Sequence, residues 1–154
     1  MMDYDPARNI RLPIFRNAVA YRAGLAGSLD AMVNEAMKLS RDYDFVLILK
    51  DSREIEKRLL AAYVSAVIRQ NDNSMHSKSL SLETILFTAG TMNIGNAIGR
   101  VRASGSRFIV FSTREKLAQE LFSKFGIRKP RKCNLELDPA ITNDVALAAI
   151  REDK

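Results

Sequence analysis

The chain has 154 residues, of which 47% are hydrophobic and 27% charged, and its formal net charge is +6. That length suits one domain with a sizeable core, and the composition excludes a disordered chain. A single cysteine, Cys133, and a single histidine, His76, exclude an internal disulfide and dispose of most zinc clusters, thiol redox pairs and Ser-His-Asp chemistry. No apolar run approaches the roughly 18 residues of a membrane span. The stretch MMDYDPARN has no apolar signal core, so the expected location is cytoplasmic.

Residues Met1 to Arg8 read as a polar, loose segment, and a first strand is expected over Asn17 to Arg22, after Pro13 and before Gly24 and Gly27. Ser28 then caps a helix to about Ser40 with Leu29, Met32, Val33, Ala36 and Met37 on one face. Asp44 to Lys50 is a continuous β-forming apolar run, which predicts a central strand buried on both faces.

Asp51 and Glu54 have capping-box spacing, and the helix they open should run to about Arg69 with Ile55, Leu59, Tyr63 and Val67 in the core. Lys57, Ala61, Ser65 and Arg69 follow at four-residue steps on another face, either a solvated edge or a phosphate track. Gln70 to Ser79, which contains His76, reads as a solvated polar connection.

Two short helices come next. Leu82, Ile85, Leu86 and Ala89 predict one apolar face, and Ile94, Ala97, Ile98 and Val101 predict another. Gly90 is the natural residue for a left-handed helix ending, with Thr91 as the cap of the second helix. Gly95 and Gly99 lie one turn apart inside that helix, where each costs about 1 kcal/mol relative to alanine. They imply either close packing within the chain or a flat landing place for a partner surface or nucleotide.

After Ser104-Gly105-Ser106, Arg107 to Phe111 is a second buried strand, and Ser112 with Glu115 repeats the capping-box spacing ahead of a helix ended by Gly126. Lys129 to Lys132 reads as a basic turn into a short strand, Cys133 to Leu137, in which the cysteine is a small buried hydrophobe. Asp138-Pro139 should open a last helix to about Ile150. The order predicts a single layered α/β domain over residues 1–154, with a small mixed sheet of about four strands and a central helical insertion.

Charge is uneven along the chain. From Asn96 to Lys132 ten basic residues face two acidic ones, a local +8 that leaves the remainder at −2. Such a run is the footprint of phosphate binding or, more plainly, of solubility. Gly90 to Gly99 has neither a P-loop ending nor a dinucleotide fingerprint. Glu83 is the one oddly placed acid, either a first-turn helix charge or a buried base. No nucleophile, base and orienter cluster, and no cofactor or metal site emerges, which favours binding over catalysis.

The segments LLAAYVSAV, SLSLETILFTAGTMNIGNAI and RFIVFSTREKLAQELFSKFGI, within residues 44–127, together resemble the small accessory subunit of the KEOPS complex. The resemblance implies a non-catalytic subunit that binds the PRPK-type kinase subunit and the CCA tail of tRNA, in support of threonylcarbamoyladenosine synthesis. On that reading the nucleic-acid contacts are Lys57, Arg58, Lys78, Gly90, Thr91, Asn93, Ile94, Arg100 and Arg102. The Gly90 to Ile94 turn would let nucleotides approach the backbone while Lys78, Arg100 and Arg102 supply charge. Met92 stands where the family often has arginine. The competing readings are a stand-alone RNA-binding module and a small enzyme grouping Glu83, His76 or Tyr63.

Overall fold

A computed structural model describes residues 17–41, 43–135 and 137. Its elements in chain order are β1 (Val19–Gly24), α1 (Leu29–Leu39), β2 (Val46–Lys50), α2 (Arg53–Asn71), α3 (Leu80–Ala89) and α4 (Ile94–Val101). There follow β3 (Arg107–Ser112), α5 (Glu115–Lys124) and β4 (Arg131–Lys132). The readings for Met1 to Arg8 and for a helix after Asp138 lie outside the described residues.

The four strands form one sheet in the order β2-β3-β1-β4. Every pairing is antiparallel, so the sheet is not mixed, although the central helical insertion α2–α4 does separate β2 from β3. The sheet order also moves β2 from the expected centre to an edge, while β3 and β1 take the middle.

Strand side chains alternate between faces, and that alternation divides the core in two. Ala20, Leu47, Leu49, Ile109 and Phe111 pack with α2, α3 and Val101 on one face. Val19, Tyr21, Val46, Phe108 and Val110 pack with Met32 and Ala36 of α1 and with Ala118, Leu121 and Phe122 of α5 on the other. The result is a helix–sheet–helix sandwich in which β2, though an edge strand, is covered on both faces.

Three helix starts differ from the capping-box reading. Ser52, not Asp51, caps α2 by accepting the Ile55 N–H at 3.3 Å, and Asp51 instead accepts from Arg22 Nε at 2.9 Å. Asn93, not Thr91, caps α4 by accepting from Asn96 N–H at 2.9 Å. Ser112 is still in β3, and α5 begins after Arg114 without a side-chain cap. At the far end, the last strand is Arg131–Lys132 itself, so the expected basic turn is the strand. It pairs with Tyr21 and Arg22, and Cys133 N–H adds one more bond to the Ala20 carbonyl at 2.8 Å. A two-residue strand of exposed cations is a common way to blunt a sheet edge.

The stripe expected on α2, Lys57, Ala61, Ser65 and Arg69, is solvated at Lys57 but not in its middle. Ala61 is fully buried and Ser65 is buried, its hydroxyl donating back to the Ala61 carbonyl at 2.8 Å. Small side chains there let α3 lie close against α2, so α2 is enclosed by the sheet on one side and a helix on the other.

On the sheet side, Tyr63 stands edge-on to Phe45 and Phe111 at centroid distances of 5.9 and 5.6 Å. Burial raises its phenol above the ordinary tyrosine range. Tyr63→Ala is expected to destabilise the fold by about 3–5 kcal/mol, read as the midpoint shift in urea unfolding.

Cys133 is buried near the same core, as expected, and burial followed by the Glu56 carboxylate pushes its thiol up to about 12. It should therefore stay protonated and resist alkylation at pH 8. Because the unfolded chain would lose that proton near pH 9, this group's contribution to stability declines between about pH 9 and 12. Thiol titration in native and denaturing buffer checks the first expectation, and unfolding midpoints across that range in Cys133→Ala against the parent check the second.

Candidate nucleic-acid interface

The centre of the candidate site is the turn between α3 and α4. Gly90 adopts φ +73°, the left-handed conformation expected of it, and closes α3 through its N–H on the Leu86 carbonyl at 2.9 Å. Thr91 N–H reaches the same carbonyl at 3.2 Å. Both residues are buried, and the Thr91 hydroxyl accepts from Asn93 N–H at 3.1 Å. The backbone at Gly90 and Thr91 is therefore spent on the turn, and these two residues do not offer the surface expected of them.

The accessible part begins at Asn93. Asn93, Ile94, Gly95 and Asn96 are exposed at the N-terminus of α4. Asn96 N–H is capped by Asn93, while the first-turn N–H groups of Ile94 and Gly95 have no carbonyl one turn back to bond, so they orient positive dipole ends outward. Close packing does not explain the helix glycines. A Cβ at Gly99 would meet nothing within 4 Å, and one at Gly95 only Asn93 Oδ1 at 3.5 Å. Both glycines keep a surface flat.

Helix faces also differ from the spacing. Glu83, Thr84, Leu86, Phe87 and Thr88 are the buried side of α3, with Leu82, Ile85 and Ala89 half-buried. In α4 only Ala97 and Val101 are buried, whereas Ile94 and Ile98 remain 42% and 43% exposed.

The expected cations do not gather in one place. Arg100 is at the turn, donating to the Ala89 carbonyl at 3.1 Å. Lys78 precedes the ten-residue α3 and lies at its opposite end, about 15 Å away along the axis. Arg102 follows α4 and pairs opposite Leu49 at the sheet edge. Of the remaining basic run, Arg107 is paired with Asp51, Arg114 with Asp44, and Lys124 with Glu35. Arg131 and Lys132 are on the far edge strand.

Lys57 and Arg58 are better placed. The link of residues 72–79 turns α3 back along α2, and α2 has 19 residues against ten in α3. The first two turns of α2 therefore project past Gly90. Arg58, Ala61, Ser65 and Arg69 share one stripe, and Arg69 lies 5.2 Å over the Phe87 ring of α3, which shows that this stripe faces α3. Met92 packs into the same core as Ile55 and Leu59 of those first turns.

Arg58 belongs to those first turns of α2. Its Nη1 is 3.6 Å from Glu54, but its Nε and Nη2 are buried without a hydrogen-bond partner. Buried guanidinium nitrogens without an acceptor are costly, and an anion would satisfy them. Lys57, one residue earlier, is exposed.

Glu83 is fully buried in the first turn of α3, the helix-terminus position that is one of the two readings of it. Its carboxylate accepts from His76 N–H at 3.0 Å, Ser77 N–H at 3.1 Å and the Ser77 hydroxyl at 2.9 Å. His76 is not simply solvated, since its Nδ1 lies 2.8 Å from Arg69 Nη1 and 3.9 Å from Glu83. The carboxylate works as a knot that fixes the α2–α3 link. Among the described residues no group of His, Cys, Asp and Glu is placed to hold a metal ion. No helix there is long and apolar enough to cross a membrane.

No protein-family model matches the chain, and no curated protein is significantly similar to it.

Removing the knot tests its role. Glu83→Ala leaves three donors without their acceptor and is expected to destabilise the protein by about 3 kcal/mol. Glu83→Gln, which keeps one acceptor oxygen, should lose less. Thermal and urea unfolding of both variants measure the difference.

Proposed function

We propose that this protein is a non-catalytic KEOPS subunit that holds the CCA end of tRNA and binds the PRPK-type kinase subunit. The observation that carries the RNA half is Arg58, whose buried Nε and Nη2 lack hydrogen-bond partners in the first turns of α2. The exposed first turn of α4 offers N–H groups and a helix dipole that favour an anion, and the Arg58 guanidinium, once uncovered, would supply charge-assisted bonds to a terminal phosphate. Lys57 and Arg100 add positive charge at the margins, and the exposed side of Ile94 with Gly95 gives a base a flat apolar place to rest. The site is smaller than the nine residues expected: Lys78 and Arg102 are outside it, while Gly90 and Thr91 build the turn without facing the ligand.

The arrangement suits a single-stranded end better than a duplex, because one arginine and one helix terminus engage one or two phosphates. The distribution of the basic run supports the same choice. A duplex track needs cations in a continuous row, and here several are internally paired.

Binding of full-length tRNA and of tRNA trimmed of its CCA tail, followed by fluorescence anisotropy, tests the reading. The trimmed tRNA is expected to bind at least about tenfold more weakly, and Arg58→Ala should lower full-length binding by a similar factor while leaving trimmed tRNA unchanged. Equal affinity for the two RNAs would remove the assignment. Binding of both RNAs with no kinase-subunit association would favour the stand-alone RNA module.

A further inference from the structure

An apolar groove of about 530 Å³ runs along the outer edge of β2, between α1 on one face of the sheet and α3 with α4 on the other. Ile48 and Leu47 form its floor, Val33 and Met37 one wall, and Leu82 and Ile98 the other. Met37 is 70% exposed and Ile98 43%. Tyr43, 69% exposed, lines the adjoining hollow with Ser40 and Ser81, and Ile94 lies one turn before Ile98. Three of the five large apolar side chains that are exposed among the described residues, Met37, Tyr43 and Ile98, thus border this groove and its adjoining hollow. Scattered exposed hydrophobes are ordinary; a contiguous set along a groove is the mark of a docking surface.

The backbone decides what shape the groove accepts. A sheet edge normally invites another strand. Here the Ser40 hydroxyl takes the Val46 N–H at 3.1 Å at one end of β2, and Arg102 pairs opposite Leu49 at the other. Too little edge is left between them to zip an added strand. Walls made of helices, with a β-strand floor, instead match the apolar stripe of a helix.

Charge narrows the occupant further. Arg102 lines the groove and Arg41 the adjoining hollow, against Asp30 on the lining. Asp44 in the adjoining hollow is already held by Arg114 at 3.0 Å. The margins are basic on balance, so a second copy of this chain would bring like charge against like charge.

We infer that this groove docks an amphipathic helix of a partner protein, its apolar stripe on Met37, Ile48 and Ile98 and its acidic flanks against Arg41 and Arg102. The inference gives the partner contact of the proposed function a location, and it rests on that reading for the existence of such a partner. It also separates the two tasks of the molecule. The protein partner takes the sheet edge, and RNA takes the opposite end of α4.

The test titrates the purified PRPK-type kinase subunit into the full chain and into Ile98→Asp, with tRNA binding measured in parallel. Ile98 is exposed enough that the variant should fold, which a thermal melt verifies. The expected result is a loss of about tenfold or more in kinase-subunit affinity with tRNA affinity within about twofold of the parent. Arg41→Glu combined with Arg102→Glu should slow association and flatten its salt dependence. Unchanged kinase binding by Ile98→Asp overturns the inference while leaving the subunit reading intact. So does amide-exchange protection that falls away from α1 and α4 in the complex, or a dimer of the free chain that Ile98→Asp dissolves. A parent chain that does not bind the kinase subunit at all overturns both, and the parent titration distinguishes that failure from the others.

Discussion

Helix α2 has to be buried on two sides at once, and the rest of the molecule follows from how it manages this. Leu59 and Tyr63 pack against the sheet, while Ala61, Ala62 and Ser65 present a surface small enough for α3 to lie along it. The two hydroxyls on the facing helix, Thr84 and Thr88, are satisfied within α3 by the Leu80 and Thr84 carbonyls, both at 2.8 Å. The interface can therefore be tight without leaving polar groups unmet. Because α3 is shorter than α2, the chain must turn before α2 begins, and that turn is where Gly90 reverses direction.

Much of this was legible in the sequence, and its limits have physical causes. Periodicity located every described helix and the first three strands, but not Arg131–Lys132, because burial on one face leaves a pattern in the text and an exposed two-residue edge strand does not. Helix starts were less legible, since Asp51, Thr91 and Ser112 are each a plausible cap and only backbone geometry selects Ser52 or Asn93. The stripe of Lys57, Ala61, Ser65 and Arg69 was ambiguous because small residues are tolerated in water and required at a close helix contact. Sheet order was beyond reach: an apolar run such as Val46 to Leu49 looks the same whether its covering comes from neighbouring strands or from helices on both faces.

The candidate site shows the same division. Proximity in sequence suggested that the cations from Arg100 onward form one patch, but the run passes through β3 and α5 and disperses around the molecule. Arg114 and Lys124 meet acids contributed by remote segments, Asp44 and Glu35. Exposed ion pairs of this kind contribute little stability, yet they remove charge from the field a polyanion would experience. Arg58 lay outside the run, and what distinguishes it is desolvation. No property of the text reveals which arginine will be buried without an acceptor.

Helix α4 is only eight residues long and contains two glycines whose missing side chains nothing in the fold requires. Such a segment has low intrinsic helicity and depends on Ala97 and Val101 to hold it in place. Its first turn is exposed at the Asn93–Asn96 surface and its later residues border the apolar trough. A ligand that immobilises the segment from either end would make the opposite end easier to occupy, so the two associations become thermodynamically reciprocal without any change of shape.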